Sequence, residues 1–163
     1  MSRPRKDLDE LRELIDGIEV AMLTTAGPEG LFSSRPLRTQ QVDEDGLLWF
    51  ITRRDTRAVE EFIACPDVCL TYASPERNQY VAVYGSAGTV VDPAKLDALW
   101  SPINAVLFPE GRTDPGLVLL RIEPQRAECW VGPSSTVGKV LAFAGAALSG
   151  DPRGLGARHD LRV

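Results

Sequence analysis

The residues able to do chemistry are few, and their types limit what chemistry is left. A single histidine, His159, stands four residues from the end of the chain. Imidazole proton relays, Ser-His-Asp triads and His-ligated metals would all have to rest on it, so none of these is expected. Three cysteines, Cys65, Cys69 and Cys129, include a C-P-D-V-C spacing. That spacing is neither the two-residue gap of a redox dithiol nor half of a zinc site with a second cluster to match, so structural thiols are expected. No glycine-rich phosphate loop or dinucleotide fingerprint is present, which sets aside the glycine-cradled nucleotide folds. The adjacent carboxylates Glu60-Glu61 and Asp43-Glu44-Asp45 read as a solvated helix face and a turn rather than as acid-base groups.

What remains is cationic. Arg35 lies in Ser33-Ser34-Arg35-Pro36-Leu37, where a proline inside a strand predicts an edge or a bulge with backbone groups open to a ligand. Past Trp49-Phe50-Ile51-Thr52, the pair Thr56-Arg57 opens a helix, and there N–H groups, the helix dipole and a guanidinium converge as an anion site. Taken singly, Arg35 and Arg57 each read as surface ion pairs. Placed together around one hairpin and one helix start, they leave that reading and a phosphate site both open.

The elements that must position these groups follow from periodicity. Leu8, Leu11, Leu14, Ile15 and Ile18 recur at helical spacing, with Gly17 closing the helix. Strands are predicted over 18–25, 31–42 and 47–52, with turns at Gly27-Pro28-Glu29-Gly30 and Asp43-Glu44-Asp45-Gly46. Asp55 is the expected N-cap of a helix over 56–64, which Pro66 stops. Further strands are predicted over 68–73, 80–91 and 117–131, the last interrupted at Pro124. The small residues Gly85-Ser86-Ala87-Gly88 mark a bend or bulge. A helix is predicted over 93–100, a loop over 101–116, and a last helix capped by Ser134 or Ser135 with Val137, Val140, Leu141, Ala144 and Leu148 facing the core. Residues 1–150 read as one domain and 151–163 as a mobile tail or a partner-dependent arm. Six strands without regular strand-helix alternation point to an antiparallel barrel with peripheral helices.

Composition narrows the setting. With 163 residues, 44% apolar and 25% charged, the chain matches globular averages and is long enough for one buried core. A net charge of −5 argues against nucleic acid or an anionic membrane as partner. Apolar runs fall short of the ~18 residues of a membrane span. No segment reads as a signal peptide, so a cytoplasmic protein is expected.

Eight segments then carry a family likeness in order: Val20-Ala21-Met22-Leu23-Thr24-Thr25, Ser34-Arg35-Pro36-Leu37, Leu48-Trp49-Phe50-Ile51-Thr52, Asp55-Thr56-Arg57, Pro66-Asp67-Val68, Tyr80-Val81-Ala82-Val83-Tyr84-Gly85, Leu99-Trp100-Ser101-Pro102 and Trp130-Val131-Gly132-Pro133-Ser134-Ser135. By these segments the chain resembles the flavin-binding split-barrel family related to pyridoxamine 5′-phosphate oxidase, in its general stress protein branch. The resemblance implies a mainly β fold with peripheral helices, a six-stranded antiparallel split β-barrel of the FMN-binding type. It also implies a homodimer with FMN at the subunit interface. Carried over residue by residue, Arg35 would contact the phosphate or ribityl chain, and Pro36 and Leu37 would offer backbone beside the ring. Gln40 stands where the oxidases carry a lysine. Phe50, Ile51 and Thr52 would line the flavin, Thr56 and Arg57 would hold the phosphate, and Trp130 matches an aromatic that the partner subunit brings to the ring.

The departures are specific. Relatives carry Ser-x-Lys where this chain has Thr56-Arg57-Ala58, so one cation is missing. The oxidases' arginine and histidine that grip the vitamin phosphate have no match after Trp130, so pyridoxamine-phosphate oxidation is not expected. Leu107-Phe108-Pro109 replaces the branch's Trp-Phe-Pro. The implied activity is flavin-based electron transfer with a reduced nicotinamide or another small molecule. The alternatives are a non-catalytic flavin carrier or sensor, and a split barrel that takes a deazaflavin or no cofactor.

Overall fold

Leu8, Leu11 and Ile15, the apolar stripe of the first helix, are buried on one face of α1 (Arg5–Ile15). The computed structural model describes residues 5–133, 136–149 and 157–163. After α1 come β1 (Val20–Ala26), β2 (Phe32–Val42), β3 (Leu48–Arg53), α2 (Arg57–Ala64), β4 (Asp67–Ser74) and β5 (Gln79–Val90). They are followed by α3 (Pro93–Leu99), α4 (Pro102–Leu107), β6 (Leu117–Val131), α5 (Thr136–Ser149) and β7 (Ala157–Leu161).

The strands lie in the order β3-β2-β1-β4-β5-β6-β7, and a further β3–β6 pairing closes six of them into an antiparallel barrel. The mainly β fold with peripheral helices and a six-stranded antiparallel split barrel is therefore the observed one, with β7 added outside the ring along β6. Strand alternation builds the interior: Ala21, Leu23 and Thr25 of β1 point in, while Val20 and Met22 point out. Leu70, Tyr72, Val81, Val83, Leu120 and Ile122 complete the core, and α2 adds Ala58, Val59 and Phe62. Each fully buried aliphatic or aromatic side chain of this kind contributes ~1.5–3 kcal/mol, enough to hold the register against a one-residue slip.

The continuous apolar run of β3 has two coverings. Leu48 and Phe50 face the barrel core, whereas Trp49 and Ile51 pack with Leu96, Leu117 and Leu119 in a second cluster that Leu99, Trp100 and Phe108 border. The hairpin before β3 is pinned by Asp43, whose carboxylate accepts from the backbone of Leu47 at 2.9 Å and from Trp49 Nε1 at 2.7 Å.

Several expectations are corrected. The segment expected to be a loop over 101–116 contains α4, started by Pro102 in the first turn, where a missing N–H costs nothing. Asp55 does not cap α2: the N-cap is Thr56, and the Asp55 carboxylate lies 3.1 Å from Arg53 Nε. β6 is one continuous strand through Pro124, and its pairing with β5 shifts register there, opposite the predicted bulge. There Tyr84 faces Arg126 while Gly85 faces Pro124, which leaves Gln125 as the extra residue. Part of the stretch 151–163 forms β7, with Leu161 and Val163 in the core. Leu141, Ala144 and Leu148 of α5 are exposed rather than core-facing, and the expected caps Ser134 and Ser135 lie outside the described residues. Among the described residues no helix is long and apolar enough to cross a membrane.

Candidate functional site

β2 has two neighbours, but not along its whole length. Phe32–Arg38 pairs with β1, whereas pairing with β3 begins only at Thr39 and shifts register before Gln41. The edge of β2 that faces β3 is therefore unpaired around Arg35, Pro36 and Leu37. This is where the strand proline is tolerated, as its missing N–H demands. Pro36 sits opposite Met22 on the outer face, while Leu37 is partly buried against the core.

Arg35, the register partner of Leu23, lies on the inward face and reaches α2. Its Nη2 lies 3.0 Å from Oε2 of Glu61 and also donates to Ser33 Oγ at 2.7 Å and Thr25 Oγ1 at 3.1 Å. Both hydroxyls donate in turn to Glu61 Oε2, Thr25 at 2.5 Å and Ser33 at 2.6 Å. Arg57, one helical turn before Glu61, donates from Nε to Oε1 at 2.7 Å. The two arginines singled out in the sequence thus converge, and a carboxylate joins them. The pair Glu60-Glu61 is expected on a solvated face; Glu60 is exposed, but the Glu61 side chain is only 3% exposed, which corrects that expectation.

Its environment explains how a carboxylate survives there. Hydrogen bonds from Ser33 and Thr25, aided by Arg57 and opposed by burial, lower its pKa from 4.5 to about 2, so it stays ionised. Two guanidinium charges against one carboxylate leave the cluster with a net charge of about +1. Arg57 is two-thirds exposed, whereas Arg35 is mostly covered and its Nε is buried with no hydrogen-bond partner. The start of α2 adds first-turn N–H groups and the positive end of the helix dipole. Gly27 closes one side: a Cβ there would meet Glu61 Oε1 at 3.2 Å and Leu31 O at 3.1 Å. A largely apolar cleft of about 550 Å³ adjoins, with Ala26, Pro28, Arg57 and Cys65 in its walls.

The remaining candidates do not gather here. Phe50 and Thr52 point into the barrel and Ile51 points into the second cluster, so the three side chains do not line one common surface. Thr56 donates from Oγ1 to Arg53 O at 3.1 Å. Gln40 is held in a two-way amide pair with the buried Asn104, at 3.0 and 3.3 Å. Trp130 stands on the outer sheet face beside Tyr80, with Arg158 over its ring at 5.9 Å, at the end of β6 that pairs with β5 and β7, beyond the stretch that pairs with β3. His159 lies exposed on β7. Cys129 is buried in the core, where desolvation pushes its thiol up to about 11, as befits a structural thiol. Among the described residues no group of three His, Cys, Asp or Glu could hold a metal.

A closed antiparallel barrel with one strand edge left open beside a guanidinium pair defines a split barrel suited to a small anionic ligand. The sequence pattern described as pyridoxamine 5′-phosphate oxidase-like matches residues 6–153, and the chain belongs to that family. No curated protein matches it in sequence. Among solved structures it is similar to a putative general stress protein 26 from Jannaschia sp. CCS1, at 22% identity over 95% of this chain and 97% of that one, TM-score 0.74. It is also similar to the general stress FMN/FAD binding protein of Xanthomonas citri, at 28% identity over 81% and 93% of the two chains, TM-score 0.68. A third similar structure is PhzG from Burkholderia lata 383 in complex with tetrahydrophenazine-1-carboxylic acid, at 19% identity over 82% of each chain, TM-score 0.63.

Proposed function

We propose that this chain binds FMN as a homodimer and uses it in electron transfer with a reduced nicotinamide or another small molecule. The observation that carries the reading is the convergence of Arg35 and Arg57 beside the unpaired edge of β2, at the start of α2. The residues fit a phosphate: Arg35 Nε is a buried donor without an acceptor, and Arg57 is exposed enough to turn toward a ligand. The name of the Xanthomonas citri relative supports a flavin.

In this reading Arg35 and Arg57 hold the phosphate, and the backbone of Pro36 and Leu37 borders the ring. Phe50, Ile51 and Thr52 contribute through the main chain of β3 rather than through side chains. FMN supplies the redox chemistry when bound, and the protein supplies position and electrostatics. Gln40 acts through Asn104, shaping the bulge that ends the open edge. A second copy brings Trp130 to the site. The exposed outer-face residues Val20, Met22, Phe32, Tyr80 and Trp130 support such an association. A cytoplasmic setting belongs to the same reading, because three unpaired cysteines suit a reducing compartment.

A carrier or sensor without turnover is the second reading, and one observation favours it. Both oxygens of the cluster's carboxylate are already engaged by four side-chain donors, so the cluster holds no free acid or base for turnover. Titration with FMN, followed by flavin absorbance and fluorescence quenching, tests the binding step. Saturable binding at one per subunit is expected, and its absence refutes the reading. Arg57→Ala should weaken FMN by up to about tenfold and leave riboflavin unchanged, the low end of the loss for one charge-assisted hydrogen bond because Glu61 already engages this guanidinium. Equal losses would remove Arg57 from the phosphate site. Oxidation of a reduced nicotinamide by the loaded protein separates the enzyme from the carrier.

A further inference from the structure

We infer that Glu61 sets the ligand selectivity of the arginine pair: its carboxylate is a built-in anion that masks Arg35 and Arg57, so the site discriminates weakly between a flavin with a phosphate and one without. The inference rests on the flavin reading and adds a residue that the sequence pattern of anion sites does not include.

The geometry carries it. Four donors end on the two oxygens of Glu61: Thr25, Ser33 and Arg35 on Oε2, and Arg57 on Oε1. A carboxylate so held does for the guanidinium groups what a bound phosphate oxygen would do. It sits almost wholly out of solvent, so water screens its charge poorly. An arriving phosphate meets two cations and one fixed anion rather than two cations alone. Arg57 must also divide its donors between Glu61 and the newcomer. Ala58 adds nothing to offset this, since the cation its position could carry is absent. Low pH within the ordinary range does not lift the mask, because Glu61 stays ionised far below neutrality.

The selectivity is read by titrating the full-length protein with FMN and with riboflavin. In the unaltered protein the two dissociation constants should lie within about tenfold of each other, where two unmasked guanidinium groups would each contribute about tenfold to a hundredfold. Glu61→Gln keeps an oxygen for Thr25 and Ser33 but removes the charge. It should tighten FMN by about tenfold or more and leave riboflavin in place. A preference for FMN of a hundredfold or more in the unaltered protein overturns the inference, as does an FMN-to-riboflavin ratio that Glu61→Gln leaves unchanged. The first of these needs no variant, so it decides the matter even where Glu61→Gln fails to fold.

Inorganic phosphate provides a probe that owes nothing to flavin. Millimolar phosphate should raise the unfolding temperature of Glu61→Gln more than that of the unaltered protein. If neither protein binds a flavin yet phosphate stabilises the variant selectively, the flavin reading fails and the masking role of Glu61 stands. If phosphate acts equally on both, the masking role fails whatever the flavin does.

Discussion

Removing the Gln40 side chain would expose what holds the end of the open β2 edge in place. Asn104 of α4 is fully buried. Its Nδ2 donates to Gln40 Oε1 at 3.0 Å, and its Oδ1 accepts from Gln40 Nε2 at 3.3 Å. In Gln40→Ala both contacts go. Oδ1 then loses its side-chain donor, and Nδ2 keeps only the long 3.5 Å approach to Leu99 O. An unsatisfied buried amide of this kind costs ~1–3 kcal/mol. For a chain of this size each kcal/mol moves the midpoint by about 2–4 °C, so Tm should fall by about 2–12 °C. Thermal unfolding followed by circular dichroism reads this directly. The neighbouring Gln41→Ala is the control. Its side chain accepts only an exposed contact from Lys95 Nζ at 2.8 Å, so its effect should stay within about 0.5 kcal/mol. The double variant Gln40→Ala with Asn104→Ala should cost less than the sum of the two single losses, since it leaves neither amide stranded. A drop below about 1 °C for Gln40→Ala, or equal drops for Gln40→Ala and Gln41→Ala, would refute the clamp.

Two further outcomes follow from the barrel and its rim. Gly85→Ala should destabilise by ~1–3 kcal/mol or more, because the new Cβ would lie 2.2 Å from Glu123 O and 2.9 Å from Pro124 Cα, backbone that cannot swing aside. Gly88→Ala, with nothing within 4 Å of its Cβ, should shift stability by less than about 0.5 kcal/mol, and equal urea midpoints for the two variants would contradict the close approach. Glu61 also predicts an acid-sensitive window. The unfolded chain takes up its proton near 4.5 and the folded protein only near 2, so the stabilising contribution is complete above about pH 4.5 and drains away as pH falls toward 2. Urea midpoints compared at about pH 5 and about pH 3 should fall less steeply in Glu61→Gln than in the unaltered protein, and parallel slopes would count against it.

Local pattern was enough wherever a residue's role depends on its near neighbours. Proline in a strand forbids continuous pairing, so Pro36 located the open edge of β2, and the small residues from Gly85 located the bulge. The continuous apolar run of β3 announced a strand covered on both faces, and Leu8, Leu11 and Ile15 announced α1. The order of these signals sufficed for the barrel, because alternation and turn chemistry are short-range properties.

Tertiary structure decided what depends on distant partners. Whether Glu61 is solvated or buried turns on hydroxyls 28 and 36 residues away, in Ser33 and Thr25, which only the packing of α2 against the barrel brings to it. A trace of this lay in the helix itself: Glu61 is one turn from Ala58 and adjacent to Phe62, both buried, so it shares their inward side. The pairing of Gln40 with Asn104 is invisible in the sequence because the partner stands 64 residues on, in a helix within the segment expected to be a loop. β7 is too short and mixed in character to declare itself, and the neighbouring β6 edge makes it a strand. Periodicity thus determined the elements and the cations available to the site. Long-range packing alone decided that those cations meet around a carboxylate, since charge burial depends on what surrounds a group in space and not on what adjoins it along the chain.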